Sequence, residues 1–176
     1  IIRCASLRFL CNKYYIIHNK EWLEEINDCY VQNYTEILTQ TPHNLKISKK
    51  IISDDYYDIK FETILQGEDF REAIEQMSTI QFLNCPIDIW VGLKKSIDLA
   101  MIGARKLSKN EAFDPNIAFD DFFSIVLPVF ASSQIMCPTA LHQFLSLFKK
   151  MSKSNSMDIM SVSALALFGY IRSQVL

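Results

Sequence analysis

Glycine and proline are scarce, four and five residues in 176. That scarcity argues against a disordered chain and against a turn-rich β-sandwich or barrel, both of which draw heavily on these two residues. Long apolar runs are missing as well. A spanning helix needs about 18 consecutive apolar residues, and the longest stretches, "IVLPVFA" and "ALALFGYI", fall well short of that. No cleavable signal is visible, because Arg3, Arg8 and Lys13 interrupt the N-terminal apolar pattern. Charge of one sign is lacking too. The formal net charge is −2, so no global basic field draws nucleic acid.

Catalytic and metal signatures are equally thin. The five cysteines (Cys4, Cys11, Cys29, Cys85, Cys137) show no CxxC spacing, and with His18, His43 and His142 they form no zinc pattern. They read as small buried apolar side chains in a reducing compartment. Cys4 and Cys11 fall on one helical face, and nothing in their spacing supports a Cys–His nucleophile. GxGxxG, P-loop, GxSxG and HExxH are all missing. No cofactor and no metal are therefore expected.

What is present is a globular composition, 49% hydrophobic and 22% charged, long enough for one domain with a sizeable core. The chain begins at Ile1 rather than Met and is read as part of a larger protein whose other domains lie outside it. Periodicity is helical nearly throughout. Trp22, Leu23, Ile26, Tyr30, Tyr34, Ile37 and Leu38 recur at three- and four-residue steps over 20–39. "QTPHN" ends that run, since Pro42 disfavours helix at the residue before it. "SDDYYD" (53–58) reads as a loop or a helix start, and a helix is predicted after Gly67 with Glu68 and Asp69 in its first turn. Pro86 suits the first turn of the next helix, where its missing N–H costs nothing. Ile89, Trp90, Leu93, Ile97, Ala100, Met101 and Ala104 give that helix a continuous core face. Gly92 and Gly103 inside it cost about 1 kcal/mol each relative to alanine unless close helix packing uses them.

Residues 108–119 read as a loop, with turn chemistry at Asp114-Pro115-Asn116. A short helix comes next, predicted to be disturbed by Pro128. Another restarts at Pro138 with Leu141, Phe144, Leu145 and Phe148 inward, and a small-residue helix runs from Asp158 to Arg172. No internal repeat and no period-two alternation occur. The fold expected is all-α, a single bundle of six to eight helices. "KISKK" (46–50) and "KKMSK" (149–153) are read as solvated loops or helix C-termini in preference to lipid or nucleic-acid patches.

The segment "FDDFFSIVLPVF" (119–130) poses the functional question. Asp120 and Asp121 stand side by side ahead of an apolar run. A helix start accounts for them, since carboxylates suit the positive end of the macrodipole. A lone Asp-Asp is weak as a motif, and the chain has a second at Asp54-Asp55. The order of parts from 80 to 172 says more: "NCPIDIWVGLKKSIDLAMIGA", "KNEAF", "FDDFFSIVLPVFASSQIMCPTALHQFLSLF", then "DIMSVSALALFGYI". This order resembles the vacuolar-protein-sorting-nine domain, the catalytic module of exchange factors for endosomal Rab-type GTPases, and the "DIM" entry is most similar to the alsin branch. Residues 80–176 would be the exchange-factor core, and 1–79 the supporting helical bundle of one continuous unit.

The resemblance implies particular roles. Asp121 would be an acidic finger inserted into the nucleotide site of the GTPase, with no covalent chemistry. Asp120 would cap the helix or orient its neighbour. Phe122, Ile125, Ile159 and Met160 would wall an apolar groove for the switch segments, with Ser163 beside them. The partner implied is an early-endosomal, Rab-five-class GTPase, and the location the cytoplasmic face of endosomes. The chain departs from the family pattern at Ser124, where proline is usual, at Met160, where tyrosine is common, and at Val162, where threonine is. The alternatives are a diverged module that binds a GTPase without exchange, and a helical scaffold in which Asp120 is only an N-cap.

Overall fold

The computed structural model describes residues 28–108 and 119–136, together with the single positions 6, 9, 138, 141, 145 and 166. Among these residues every regular element is helical: α1 (Asp28–Leu38), α2 (Asp54–Tyr57), α3 (Phe61–Ile64), α4 (Glu68–Thr79), α5 (Pro86–Leu107) and α6 (Phe119–Ser132), with a 3₁₀ turn at Ile80–Phe82. The all-α expectation holds. Of the helical run predicted over 20–39, the C-terminal part is α1, and the part before residue 28 lies outside the described residues. So do most of the helix predicted from Pro138, of which positions 138, 141 and 145 are described, most of that predicted over 158–172, of which position 166 is described, and residues 109–118 of the loop predicted over 108–119.

The backbone of the fold is the antiparallel pair α4 and α5. α4 starts where its sequence says it should, with Gly67 in extended conformation at the N-cap and Glu68 and Asp69 in the first turn. Pro86 opens α5, and the carbonyl of Cys85 accepts the first intrahelical bond from Ile89 N–H at 3.0 Å. Arg105 and Lys106 occupy its last turn, the favourable end for cations. Gly103 explains how closely the two helices cross. A Cβ there would lie 2.7 Å from the Asp69 carbonyl oxygen and 3.0 Å from the Phe70 ring. No side chain fits, so the intrinsic cost of a helical glycine is offset by close approach. Lys106 Nζ then pairs with Asp69 at 3.0 Å across the same crossing.

Two apolar clusters fill the interior. The first gathers Tyr34, Met77, Trp90, Leu93, Ile97, Val126, Phe130, Leu141 and Leu145 among others. The second gathers Ile47, Ile51, Ile52, Phe61, Phe70, Ala100, Ile125 and Val129. Trp90 and Leu93 thus lie in the core, as their helical face predicts, and residues from both 1–79 and 80–176 build both clusters. α6 divides its faces between the two, which is why it is apolar almost all round.

α6 is longer than the short helix expected, and Pro128 lies inside it without ending it. The helix runs fourteen residues straight through it. A proline inside a helix costs about 3 kcal/mol through a lost hydrogen bond and a ring clash. Val126, Leu127, Val129 and Phe130 around it are all buried. Burial of such side chains is worth about 1.5–3 kcal/mol each, enough to outweigh the proline.

Candidate functional site

The acid pair sits at the start of α6. α6 is described from Phe119, and Asp120 is already helical, so it is not the N-cap; residues 109–118 before it lie outside the described residues. The Asp120 side chain lies outside the described residues. The Asp121 side chain is half-buried, and its Oδ1 accepts a hydrogen bond of 2.9 Å from the backbone N–H of Ser48.

Ser48 belongs to the basic stretch "KISKK". The stretch folds as two consecutive turns. Ile47 N–H donates to the Pro42 carbonyl at 3.0 Å, and Ile51 N–H donates to the Ser48 carbonyl at 2.9 Å. Lys46 lies near the end of the first turn with φ 56°, a left-handed conformation uncommon for a residue with a Cβ. Ile47, Ile51 and Ile52 anchor the turns in the second apolar cluster, while Lys46, Lys49 and Lys50 stay exposed. The Ser48 carbonyl starts the second turn and its N–H has no place in it. Asp121 supplies the missing acceptor, a charge-assisted bond between residues 73 positions apart. No local spacing announces this contact, and Ser48 is the residue that sequence reasoning missed.

No cation pairs with Asp121 among the described residues: the ion pairs there join Lys49 to Asp54, Lys60 to Glu62, Arg71 to Glu68 and Glu75, Lys94 to Asp98 and Lys106 to Asp69, besides the His43–Asp58 contact. Within that set the carboxylate keeps its charge uncompensated, held by a neutral donor at the mouth of a basic loop.

The remaining predicted site residues divide. Phe122 is half-buried and packs against the first cluster, as does Phe123. Ile125 is buried, 3% exposed, in the second cluster. It is a core residue in this conformation and walls no surface groove, because the turn of α6 that carries it faces the isoleucines of the basic loop and α3 across a shared core. Ile159, Met160 and Ser163 lie outside the described residues, so α6 and the last predicted helix are not brought together by anything described. Ser124 is half-buried.

Beyond α6, His43 stacks on Tyr57 with ring centroids 5.2 Å apart, and Lys49 Nζ lies 4.8 Å from the Tyr57 ring centroid. Lys49 also meets Asp54 at 2.6 Å, and the hydrogen bond and charge of Asp54 raise the Lys49 ammonium above its ordinary range. No group of three or more His, Cys, Asp or Glu able to hold a metal occurs among the described residues, and none of their helices is long and apolar enough to cross a membrane. No family model, no curated protein and no solved structure matches the chain.

Proposed function

We propose that the chain is a guanine nucleotide exchange module for a Rab-type small GTPase, with Asp121 as the acidic finger. The reading rests on the ordered resemblance over 80–172. One structural observation supports it above others: Asp121 is a half-buried carboxylate at a helix start with no cation beside it among the described residues. A charge left unneutralised on an accessible edge is available to a partner.

A GTPase holds its nucleotide largely through Mg²⁺ and a P-loop lysine on the phosphate oxygens. A carboxylate delivered there offers that lysine a substitute partner and repels the phosphates. GDP and Mg²⁺ leave faster, and the empty GTPase is stabilised until GTP enters. No bond is made or broken, so Asp121 must be ionised and well placed and needs no unusual acidity. By linkage, a factor that weakens nucleotide binding is itself weakened by nucleotide to the same extent. Tight binding to the nucleotide-free GTPase therefore accompanies exchange. The early-endosomal, Rab-five class is the partner to try first, and the cytoplasmic face of endosomes is the place to look for it.

A second reading is favoured by a different observation. The bond from Ser48 gives Asp121 a purely internal task, capping a turn, and Ile125 is committed to the core. Those facts suit a diverged GTPase-binding module or helical scaffold without exchange activity. Release of a fluorescent GDP analogue from a panel of Rab GTPases decides between the two. Acceleration by the wild-type chain, lost in Asp121→Ala at matched folding, supports exchange. Binding without acceleration selects the diverged module, and neither binding nor acceleration selects the scaffold.

A further inference from the structure

We infer that the basic loop 46–50 is a latch on Asp121, so that the loop and a GTPase compete for one carboxylate. This inference rests on the exchange reading and concerns the regulation of that same site. Asp121 has one described partner, the Ser48 N–H at 2.9 Å. That N–H is surplus to the turn it opens, whose bonds run from Ile51 and Ile52 to the Ser48 carbonyl. A buried or half-buried N–H left without an acceptor is costly, so the loop holds the carboxylate as firmly as the carboxylate holds the loop. Oδ2 has no described partner, but the side chain is half-buried where Ser48 holds it, and reaching a lysine inside a nucleotide site draws the whole carboxylate away from that N–H. Engagement of the partner therefore releases the loop, and loop closure lowers the fraction of chains ready to engage.

The loop is built to yield. Lys46 holds it in a left-handed conformation that a side chain disfavours, φ 56°, next to the turn that opens at Ser48. Lys46, Lys49 and Lys50 are exposed, and Lys49 is occupied with Asp54. Opening the loop thus moves exposed lysines, while Ile47 ahead of Ser48 and Ile51 and Ile52 after Lys50 hold its ends.

Four variants of the 176-residue chain test the latch. Ser48→Pro deletes the donor and leaves Asp121 intact. Ser48→Ala keeps the N–H and removes only the hydroxyl, which accepts a 3.3 Å bond from Lys50 N–H. Lys46→Gly relaxes the left-handed residue and favours the closed loop. Asp121→Ala removes the acceptor together with the charge, whereas asparagine would keep an accepting oxygen. Two readouts apply: trypsin nicking after Lys46, Lys49 and Lys50 followed by mass spectrometry, and GDP-analogue release from Rab GTPases. Ser48→Pro and Asp121→Ala should both speed nicking, by about tenfold or more for a charge-assisted bond. Ser48→Pro should also speed GDP release, Lys46→Gly (which deletes one trypsin site) should slow release and slow nicking at Lys49 and Lys50, and Ser48→Ala should match wild type.

Nicking of Asp121→Ala at the wild-type rate overturns the latch whatever the GTPase does. So does Ser48→Pro with fast nicking but unchanged or slower release, which leaves the exchange reading standing and makes the contact a positioning one. An effect of Ser48→Ala equal to that of Ser48→Pro overturns it as well. If no variant accelerates release from any GTPase, the exchange reading itself fails and the regulatory role fails with it, even where nicking shows the tie between Asp121 and the loop.

Discussion

The chain carries two Asp-Asp pairs, each leading into two aromatics: Asp54-Asp55 before Tyr56-Tyr57, and Asp120-Asp121 before Phe122-Phe123. The first stands in the first turn of its helix, and the second among the first residues described of its own. The first helix is four residues long with none buried, and Asp54, 76% exposed at its side chain, pairs with Lys49 in solvent. The second runs fourteen residues between two apolar clusters, and Asp121 bonds a distant backbone N–H with no cation beside it among the described residues. Four letters of local sequence are nearly the same and the outcomes are opposite. The residues just C-terminal to each pair decide: "DIK" turns the chain away after α2, whereas "SIVLPVF" pulls α6 into the core and draws its first turn against a loop from elsewhere. A charge pair at a helix start acquires a task only when the helix is buried.

The sharpest way to break this comparison is kinetic. Asp121→Ala should slow GDP-analogue release from the cognate GTPase by orders of magnitude, and Asp54→Ala should leave it unchanged. Equal rates for wild type and both variants would return both pairs to ordinary helix starts.

Packing comes next in size. Phe130→Ala in α6 should cost about 3–5 kcal/mol and Leu93→Ala in α5 about 2–5 kcal/mol, because both are fully buried, whereas Tyr57→Ala behind the first pair should cost under about 1 kcal/mol. Urea unfolding of the three variants checks this, and a midpoint for Leu93→Ala equal to wild type would mean that α5 turns a different face to the core.

Smaller effects separate the carboxylates themselves. Asp121→Ala should destabilise the chain by about 1–3 kcal/mol, since it strands the Ser48 N–H, while Asp54→Ala should stay within about 0.5 kcal/mol. The smallest difference is in salt. The Lys49–Asp54 pair lies in solvent, so whatever it contributes should vanish near 1 M salt, where screening acts over about 3 Å. The contribution of Asp121, half-buried and bonded to a neutral donor, should persist. Thermal midpoints of both alanine variants at low and high salt read this out.

Much of the fold was legible. Gly67 and Pro86 marked the starts of α4 and α5 because caps and first turns are governed by local chemistry. Trp90 and Leu93 declared their burial through period alone. Close packing, the one condition under which a mid-helix glycine is useful, is met at Gly103 by the Asp69 carbonyl and the Phe70 ring. Pro128 misled because its local preference was outweighed by burial on both sides, a tertiary effect that no window of sequence contains. Ile125 was given a groove by the resemblance alone, which carries a role from position to position without showing whether a partner or the core covers the side chain. The bond between Ser48 and Asp121 was not legible at all, since a backbone donor has no side-chain signature and its acceptor lies 73 residues away.

The hydroxyl of Tyr34 donates a 2.8 Å bond to the carbonyl of Ile135, and its ring meets Phe130 edge-on at 6.1 Å. That contact joins α1 to the exit of α6 across 101 residues of chain. The α4–α5 hairpin, by contrast, closes through about six residues around the 3₁₀ turn, a short loop that costs little entropy. The order of assembly comes from the difference in loop length. The hairpin should gather early, and α1 should dock last, when α6 is already in place to receive the tyrosine. Removing one oxygen in Tyr34→Phe should therefore loosen the two ends of the described bundle before its middle: amide hydrogens of α1 should exchange faster, and those of α5 should keep their wild-type protection.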